Sequence, residues 1–387
     1  MKDTSDSTSI DSTLTALDNY VLLGNSGLRV SPLCLGAMTF GEEWVTFTDG
    51  FGSNKEASKK IFDSYHEKGG NFYDTANIYT NGDSERFLGE YIADKRSECV
   101  IATKYSINPS STEALAGRFS RPNPNAGGNH RKNLVESLDA SLKRMGTGYV
   151  DILYVHLWEY RTPVREVMRA LDDTVRSGKA LYVAVSDTPS WVVSSANTMA
   201  ELRGLTPFIG FQTRYNLLNR SLESDIQPMS AEHGLGIVPW SILAEGFLSG
   251  KHTKEQATKV ESKRKGQVQT HFKRPENWKI LEEVKEIAKE CNRTPAQVAV
   301  NWTLQKPGIT SPLIGVRTLE QLDDNLGALE FTLSPEQMAR LDRVSNPKEW
   351  PFPQDVVRNL DKFTGVGIEI EMPERYKAVQ GLLTSKI

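Results

Sequence analysis

Short apolar runs alternate with longer segments of helical periodicity along most of the chain. The apolar runs, each expected to form a buried strand, lie at about 30–36, 71–74, 99–103, 149–155, 180–185, 207–211, 236–240 and 309–314. Amphipathic helices are predicted at about 55–68, 84–94, 131–145, 164–177, 189–203, 222–233, 277–305 and 318–329. Strands that alternate with helices in this way favour a parallel sheet.

The number of strand–helix units indicates how the sheet is arranged. Eight units in about 300 residues fit a closed (β/α)8 TIM barrel better than an open doubly wound sheet. An open sheet that binds a dinucleotide usually carries a Gly-x-Gly-x-x-Gly turn after a strand, and no such turn follows the early strands. We therefore expect an α/β barrel over residues 19–345.

The segments outside a minimal barrel are two long loops and the two ends of the chain. Residues 1–18 are rich in Ser, Thr and Asp and are expected to be a disordered N-terminal extension. The loops at 105–130 and 251–275 and the C-terminal extension, 346–387, could lie over the barrel mouth. The basic cluster Lys259–Lys265 in the second loop could also be a solvated charged surface.

Composition limits the classes of protein. The chain has 387 residues, 38% of them hydrophobic, and 46 Lys and Arg balance 49 Asp and Glu, which is ordinary for a soluble globular protein. The formal charge of −3 gives no electrostatic reason to expect a nucleic-acid partner. No apolar run could span a bilayer, and the polar start has no apolar stretch like that of a signal peptide, so we expect a cytoplasmic protein without a membrane partner.

The cysteines indicate neither disulfides nor a metal site. Cys34, Cys99 and Cys291 are far apart and lack the spacing of metal ligands, so no metal is expected. Cys34 and Cys99 lie in apolar runs, which predicts buried thiols in a reducing compartment.

Polar residues stand where the predicted strands end. In α/β barrels the active site lies at the C-terminal ends of the strands, so these residues are expected to share one face of the molecule. They are Asp74 with Tyr79 in the following loop, Lys104, His156, Ser186 with Asp187, Gln212, Trp240 with Ser241, and Gly315 with Arg317.

Each of these residues also has a simpler explanation. Asp74 could cap a helix and Tyr79 pack on the rim, a single Lys such as Lys104 is most often on the surface, and His156 could be a hydrogen-bonded structural residue. Trp240 alone would be a core or rim residue.

Taken together, Asp74, Tyr79, Lys104 and His156 favour a catalytic site. A carboxylate keeps a buried ammonium charged, and a cation lowers the pKa of a neighbouring phenol from its reference value of about 10. A phenol tuned in this way is a general acid, and His156 can add a donor for a developing oxyanion. An acid and an oxyanion donor without a nucleophile or metal set predict addition to a carbonyl, with the reagent supplied by a cofactor.

Six motifs carry a resemblance to a known family over roughly residues 20–345. They are LGNSGLRVSPLCLGAMTFG, DTANIYTNGDSERFLGEYI, SLDASLKRMGTGYVDILYVH, FQTRYNLLNR, PWSILAEGFLSGK and IGVRTLEQLDDNLGAL. The chain resembles the aldo-keto reductases, and DTPSWVV and NHRKN are similar to the aryl-alcohol-dehydrogenase-like branch. Asp74, Tyr79, Lys104 and His156 match the catalytic tetrad of that family in order and spacing.

The resemblance implies a reaction and a role for each tetrad residue. NADPH would bind across the barrel mouth and give a hydride to a carbonyl carbon, and Tyr79 would protonate the carbonyl oxygen. Lys104 would tune Tyr79, Asp74 would hold Lys104, and His156 would orient the carbonyl. The branch that reduces carbon–carbon double bonds of steroids has Glu in place of this His, so His156 argues against that activity.

The resemblance also implies a cofactor site. The nicotinamide carboxamide would lie against Ser186, Asp187 and Gln212, and Trp240 would stack on the ring. The pyrophosphate would be bound near Ser241, Leu243, Gly246 and Lys251, and the adenosine with its 2′-phosphate near Gly315, Arg317, Gln321, Asp324 and Asn325. Further cofactor contacts are expected at Gly36, Ala37, Met38 and Asp74.

The side chains of Asp187 and Arg317 limit which cofactor groups each residue can bind. Many family members have Asn at the position of Asp187, and an ionised Asp can accept from the carboxamide NH2 but cannot donate to its oxygen. Arg317 is expected to read the 2′-phosphate, because a guanidinium offers planar donors and a fixed charge. The alternative is that Arg317 is a solvated surface charge.

The aromatic residues near the barrel mouth predict an apolar substrate pocket. Its expected members are Trp44, Phe47, Phe51, Phe119 and Trp158. Phe47 and Phe51 could equally well seal a loop onto the barrel.

The sequence therefore predicts an NADPH-dependent reductase that converts aldehydes or ketones, aryl or otherwise apolar, to alcohols. Two alternatives stay open. One is a cofactor-binding regulatory protein on the same scaffold, like the potassium-channel β subunits. The other is a metal-dependent barrel hydrolase, which would need clusters of His and carboxylate side chains at the strand ends, where His156 is the only histidine.

Overall fold

The computed structural model describes residues 16–42, 52–110, 123–254, 265–357 and 371–377. The strands in these ranges, numbered in chain order, are β1 (Val21–Leu22), β2 (Arg29–Val30), β3 (Cys34–Gly36), β4 (Phe72–Asp74), β5 (Val100–Tyr105), β6 (Val150–Val155), β7 (Ala180–Ser186), β8 (Phe208–Arg214), β9 (Gly236–Trp240) and β10 (Leu313–Ile314). The helices are Lys55–Glu67, Asp83–Tyr91, Arg131–Met145, Val164–Arg176, Ser190–Arg203, Ile226–His233, Lys265–Phe272, Pro275–Glu290, Pro295–Leu304, Leu319–Leu326, Pro335–Val344, Gln354–Val357 and Glu374–Lys377. Within the described ranges, no helix has both the length and the apolar character needed to cross a bilayer.

Eight parallel strands form a nearly closed barrel surrounded by helices. Their order in the sheet is β10-β3-β4-β5-β6-β7-β8-β9. Two backbone hydrogen bonds join the segment before β10 to β9: the N–H of Ile237 donates to the carbonyl of Gly308 at 3.2 Å, and the N–H of Thr310 donates to the carbonyl of Ile237 at 2.8 Å. The (β/α)8 TIM barrel predicted from the alternation of strands and helices is confirmed.

The two faces of the barrel strands bury different clusters. Because successive side chains of a strand point to opposite faces, alternate residues fill the barrel interior or pack against the helices. The interior cluster includes Cys34, Phe72, Ala102, Ile152, Tyr154, Ala184 and Val238. The outer cluster includes Leu35, Tyr73, Ile101, Leu153 and Val183. Burial on both faces explains why the strands read as continuous apolar runs in the sequence.

The predicted first strand, at about 30–36, is wrong as a single element. Arg29–Val30 pairs antiparallel with Val21–Leu22 in a hairpin, and only Cys34–Gly36 belongs to the barrel. Pro32 lies between the two parts and has no N–H to continue a ladder. At the hairpin turn Gly24 has φ +56, and a Cβ there would meet the carbonyl oxygen of Ile209 at 2.4 Å. The turn thus fits closely against the barrel.

The long helix predicted at about 277–305 is also wrong as a single element. It consists of Pro275–Glu290 and Pro295–Leu304. The break follows from Asn292, which has φ 50, and from the Pro at the start of the second helix, which cannot continue the first. Thr294 caps the second helix with its side chain.

The described parts of the two chain ends lie on the barrel. Leu17, in the 3-10 turn Ala16–Asp18, is buried in the core, so the packed chain includes residues that the sequence assigned to the extension 1–18. In the C-terminal extension, Arg375 and Tyr376 contact the carboxylate of Glu232, both at 2.5 Å. Glu232 is on the helix Ile226–His233, so residues 371–377 contact the outer helix layer. A position of the rest of the extension over the barrel mouth stays a prediction, because residues 358–370 and 378–387 lie outside the described ranges.

Candidate active site

The four residues of the expected tetrad are brought together by three neighbouring strands. Asp74 ends β4, Lys104 lies near the end of β5, and His156 directly follows β6. Tyr79 begins a 3-10 turn after β4. Because β4, β5 and β6 are adjacent and parallel, their C-terminal ends meet at one edge of the barrel.

The ammonium of Lys104 is the centre of this group. Its Nζ lies 2.5 Å from Asp74 Oδ1, 2.9 Å from the carbonyl oxygen of Thr75 and 3.2 Å from the Tyr79 hydroxyl. Lys104 is 0% exposed and Asp74 is 2% exposed. An ammonium has three donors, and these three contacts give each donor an acceptor, which makes a buried charge tolerable.

The charge state of Lys104 follows from its neighbours. Burial alone would lower the pKa of its ammonium, but the carboxylate of Asp74 and the phenol of Tyr79 outweigh burial. The pKa of Lys104 is therefore raised, and the side chain stays cationic at neutral pH.

The pKa of Tyr79 differs from the sequence prediction. Burial raises it above the ordinary value of 10.0, and Lys104 offsets only part of that rise. The predicted lowering is therefore wrong, because desolvation of the phenolate outweighs the attraction of one cation. Tyr79 thus holds its proton throughout the neutral range, and Lys104 is placed to stabilise the phenolate when that proton leaves.

His156 lies beside Tyr79 as a neutral imidazole. The two rings meet edge to face, with their centroids 5.9 Å apart. Burial and the charge of Lys104 together set the pKa of His156 well below 6.5. Its Nδ1 is buried without a hydrogen-bond partner among the described residues. A neutral imidazole has one donor nitrogen, which can serve an oxygen bound near Tyr79.

Gln212, near the end of β8, reaches this group from the opposite side of the barrel. Its Nε2 donates to Asp74 Oδ2 at 2.9 Å, and the side chain is buried. The sequence assigned Gln212 only to the cofactor and missed this contact. The contact could have been predicted because a buried carboxylate such as Asp74 needs a donor for each of its two oxygens.

The wall formed by the ends of β7 and β9 contains the residues expected near the nicotinamide. Ser186 is buried, and Asp187 has a left-handed backbone with φ 40. The indole Nε1 of Trp240 donates to Asp187 Oδ1 at 3.2 Å. The guanidinium of Arg214 lies 4.4 Å from the centre of the Trp240 ring. The sequence missed Arg214, although it follows Gln212 by two residues in a strand and shares its face.

The stretch expected to bind the pyrophosphate has unusual backbone geometry. Ser241, Ala244, Glu245 and Gly246 all have positive φ. A Cβ at Gly246 would lie 3.3 Å from Lys251 Nζ, so the ammonium of Lys251 lies close over this glycine. Four residues with positive φ so close together produce a tight loop between β9 and Lys251, with Leu243 partly buried at its start.

Glu245 and His271 were missed by the sequence analysis. Glu245 accepts from the Ser241 hydroxyl at 2.7 Å and contacts His271 Nε2 at 2.6 Å. These contacts tie the helix Lys265–Phe272 to the expected pyrophosphate loop.

The segment expected at the adenosine end follows β10. Apart from Gly315 and its two chain neighbours, no heavy atom of the described residues lies within 4 Å of the place where a Cβ of Gly315 would be, so the described part of the chain leaves space there. The N–H of Arg317 donates to Gln321 Oε1 at 3.0 Å. Asp324 accepts from the hydroxyl of Thr294 at 2.7 Å, and Asn325 is buried. Gln321 and Asp324 thus have partners within the protein.

The loop after β3 borders Tyr79. Gly36 is paired with Asp74 in the sheet, and the N–H of Ala37 donates to the carbonyl of Asp74 at 2.8 Å. Met38 packs against the small buried cluster that includes Tyr79. These three residues therefore adjoin the tetrad, as expected for cofactor contacts, although their contact with a cofactor stays a prediction.

Most of the expected substrate pocket lies outside the described residues. This applies to Trp44, Phe47, Phe51 and Phe119. Trp158 is described; it is partly buried and packs against the outer hydrophobic cluster. The aromatic pocket therefore stays a prediction. Among the described residues, no group of three or more His, Cys, Asp or Glu side chains could hold a metal ion.

Comparison with known proteins finds similar sequences over most of the chain. The model of the aldo/keto reductase family matches residues 32–346. A putative aryl-alcohol dehydrogenase of Saccharomyces cerevisiae is 37% identical over 345 residues, which are 87% of this chain and 89% of the relative. An NADP(+) aryl-alcohol dehydrogenase of Phanerodontia chrysosporium is 37% identical over 341 residues, 84% and 86% of the two chains.

A third similar protein is named for a different activity. A norsolorinic acid reductase of Aspergillus flavus is 36% identical over 338 residues, which are 87% of this chain and 82% of the relative. With the barrel, the buried Asp74–Lys104–Tyr79 group and a family match over most of its length, the chain belongs to the aldo/keto reductase family.

Proposed function

We propose that this protein is an NADPH-dependent reductase that converts the carbonyl group of aryl or other apolar aldehydes and ketones to an alcohol. The observation that carries the proposal is the position of the buried Lys104 ammonium, 2.5 Å from Asp74 and 3.2 Å from the Tyr79 hydroxyl. This arrangement prepares a phenol to give up a proton at the barrel mouth, which is the acid step that carbonyl reduction requires.

The residues around the barrel mouth fit a dinucleotide. Trp240 offers an indole ring, the described part of the chain leaves space beside Gly315, and Arg317 precedes the N-terminus of the helix Leu319–Leu326, which favours an anion. Ser186 and Gln212 would hold the carboxamide, and Lys251 the pyrophosphate. When bound, NADPH supplies the hydride.

Each tetrad residue has a physical role in the reduction. Tyr79 donates its proton to the carbonyl oxygen, and the nearby Lys104 stabilises the phenolate that is left. The neutral His156 donates a hydrogen bond to the same oxygen as negative charge develops there. Asp74 keeps Lys104 charged and fixed in place. A positioned general acid typically contributes about 10²–10⁴-fold to the rate.

The names of three relatives support aryl substrates for this protein. Two of them are named aryl-alcohol dehydrogenases and a third is named a norsolorinic acid reductase. The predicted pocket aromatics, Trp44, Phe47, Phe51 and Phe119 with Trp158, would give an aromatic ring a large apolar contact area. The thiols of Cys34 and Cys99 are free and buried, which supports a reducing compartment, and we place the protein in the cytoplasm.

The test is the reduction of 4-nitrobenzaldehyde by the purified protein, followed as the loss of NADPH absorbance. We expect turnover, and a higher kcat/KM for aryl aldehydes than for small aliphatic aldehydes. Tight NADPH binding without turnover of any aldehyde or ketone in a broad panel would instead support a regulatory, cofactor-sensing role. Turnover with an equal preference for aliphatic aldehydes would contradict only the aryl pocket.

A further inference from the structure

The buried carboxylate of Asp74 is held from two sides of the barrel. Lys104 on β5 contacts Oδ1, and Gln212 on β8 donates to Oδ2 at 2.9 Å. In the ring of eight strands β8 stands four positions from β4 in either direction, so the contact from Gln212 crosses the barrel mouth. Both oxygens of Asp74 therefore have a donor, and the two donors come from opposite sides of the barrel.

The orientation of the Gln212 amide follows from its partner. An ionised carboxylate only accepts, so the amide must turn its NH2 toward Asp74 and its oxygen away. The backbone beneath this amide is fixed by sheet pairing with Ser186 on one side and Val238 on the other. Gln212 can therefore offer its amide oxygen as an acceptor to a ligand in the mouth, because one N–H of its NH2 is held by Asp74 and the oxygen faces away from that carboxylate.

The second contact restrains a torsion that is otherwise soft. The terminal torsion of an Asp side chain is broad, so a carboxylate held through one oxygen can rotate. Rotation of Asp74 would move its negative charge relative to Lys104 Nζ, which also contacts Tyr79. A donor on Oδ2 prevents this rotation and so keeps the Lys104 ammonium beneath the phenol.

We propose that Gln212 is a positioning residue, which fixes Asp74 and thereby the Lys104 ammonium that supports proton donation by Tyr79. The inference rests on the proposed function, and it adds a role to a residue expected to contact only the cofactor. The same amide would accept from a nicotinamide carboxamide with its oxygen. Its two ends thus join the cofactor site to the Asp74–Lys104 ion pair.

Two substitutions separate the two roles. Gln212→Glu keeps the shape and the acceptor but has no donor when ionised, and it places a second carboxylate beside Asp74. Gln212→Met keeps the approximate length and removes both functions. A hydrogen bond to a charged group typically changes an equilibrium by about tenfold or more, so we expect Gln212→Glu to lower kcat by about tenfold in mildly alkaline buffer. The affinity for NADPH, measured by fluorescence quenching, should change much less.

The pH dependence distinguishes positioning from a general structural role. When the introduced carboxyl takes up a proton in mildly acidic buffer, it regains an O–H that can donate to Asp74. The kcat of Gln212→Glu relative to wild type should therefore recover as the pH falls, whereas Gln212→Met should show no such recovery. Circular dichroism would confirm that both variants are folded.

A second measurement needs no cofactor and no turnover. Because two neighbouring carboxylates repel each other, the thermal midpoint of cofactor-free Gln212→Glu, relative to wild type, should rise as the pH falls. The inference is overturned if Gln212→Glu keeps the wild-type kcat in alkaline buffer, or if both variants lose activity equally at every pH. A wild-type protein that reduces no carbonyl would contradict the proposed function instead, and the thermal midpoints would still test the contact between Gln212 and Asp74.

Discussion

The tetrad and the adenosine end of the proposed cofactor site are built differently. At the tetrad, Lys104 and Asp74 are buried, and every donor of the ammonium has an acceptor within the protein. At the adenosine end, Gln321 is exposed and Arg317 is half-buried, and the backbone N–H of Arg317 donates to Gln321 Oε1 at 3.0 Å. In the tetrad, the polar groups already have their partners within the folded protein. At the adenosine end, the polar side chains lie beside the space near Gly315.

Under the proposed function, this difference gives the tetrad the chemistry and the adenosine end the recognition of the cofactor. Groups that are fixed before the ligand arrives stabilise a developing charge without reorganising during the reaction. Groups at the surface exchange local contacts for contacts with a ligand and so determine which ligand binds. Substitutions in the tetrad should therefore lower kcat, and substitutions at the adenosine end should raise the KM for the cofactor.

The largest effect is expected for Lys104→Met. It removes the cation beneath Tyr79, so kcat/KM should fall by about 10²–10⁴-fold. It also leaves the Asp74 carboxylate buried without its cation, which typically costs about 3–5 kcal/mol of stability. Steady-state kinetics and urea denaturation measure the two effects.

The matched control is the double variant Asp74→Asn with Lys104→Met. Removing both charges should restore much of the stability but none of the activity. A single Lys104→Met variant with wild-type stability would contradict the buried ion pair.

The next effect concerns the choice of cofactor. Arg317→Ala should raise the KM for NADPH by about tenfold or more, because a charge-assisted hydrogen bond to the 2′-phosphate contributes roughly 1.5–3 kcal/mol. The KM for NADH, which lacks that phosphate, should change little. An equal rise for both cofactors would show that Arg317 does not read the phosphate, and it would remove the division between the two regions.

The sequence predicted the parts of the molecule that depend on local patterns. Apolar runs separated by helical periodicity predicted the barrel, and the strand ends predicted which residues meet at its mouth. What it could not predict depends on burial and on contacts across the barrel. The direction of the Tyr79 pKa required knowing that desolvation outweighs Lys104. The contact between Gln212 and Asp74 joins residues 138 positions apart.

A third prediction concerns pH and folding stability. Because burial and Lys104 lower the pKa of His156, the unfolded chain binds a proton at this residue as the pH falls below about 6.5, whereas the folded chain does not. His156 therefore contributes stability above that pH and loses it below, by up to about 1.4 kcal/mol per pH unit. Urea denaturation of wild type and His156→Gln should show a steeper acid loss in wild type. Parallel curves would mean that His156 takes up a proton in the folded state.

The smallest effect is expected at the wall beside Trp240. Asp187→Ala removes the acceptor of the Trp240 indole N–H, so the affinity for NADPH should fall by roughly two- to tenfold, as for the loss of a single hydrogen bond at an exposed site. Asp187→Asn keeps an acceptor oxygen and should stay close to wild type. Fluorescence titration measures both, and equal losses in the two variants would show that the charge of Asp187 matters more than its contact with Trp240.

The most direct test of the account combines turnover and cofactor binding in one variant, Tyr79→Phe. The substitution removes only the hydroxyl that contacts Lys104 Nζ at 3.2 Å. We expect reduction of 4-nitrobenzaldehyde to fall by about 10²–10⁴-fold, while NADPH quenches tryptophan fluorescence with nearly the wild-type dissociation constant. Wild-type turnover by Tyr79→Phe would contradict the assignment of Tyr79 as the proton donor.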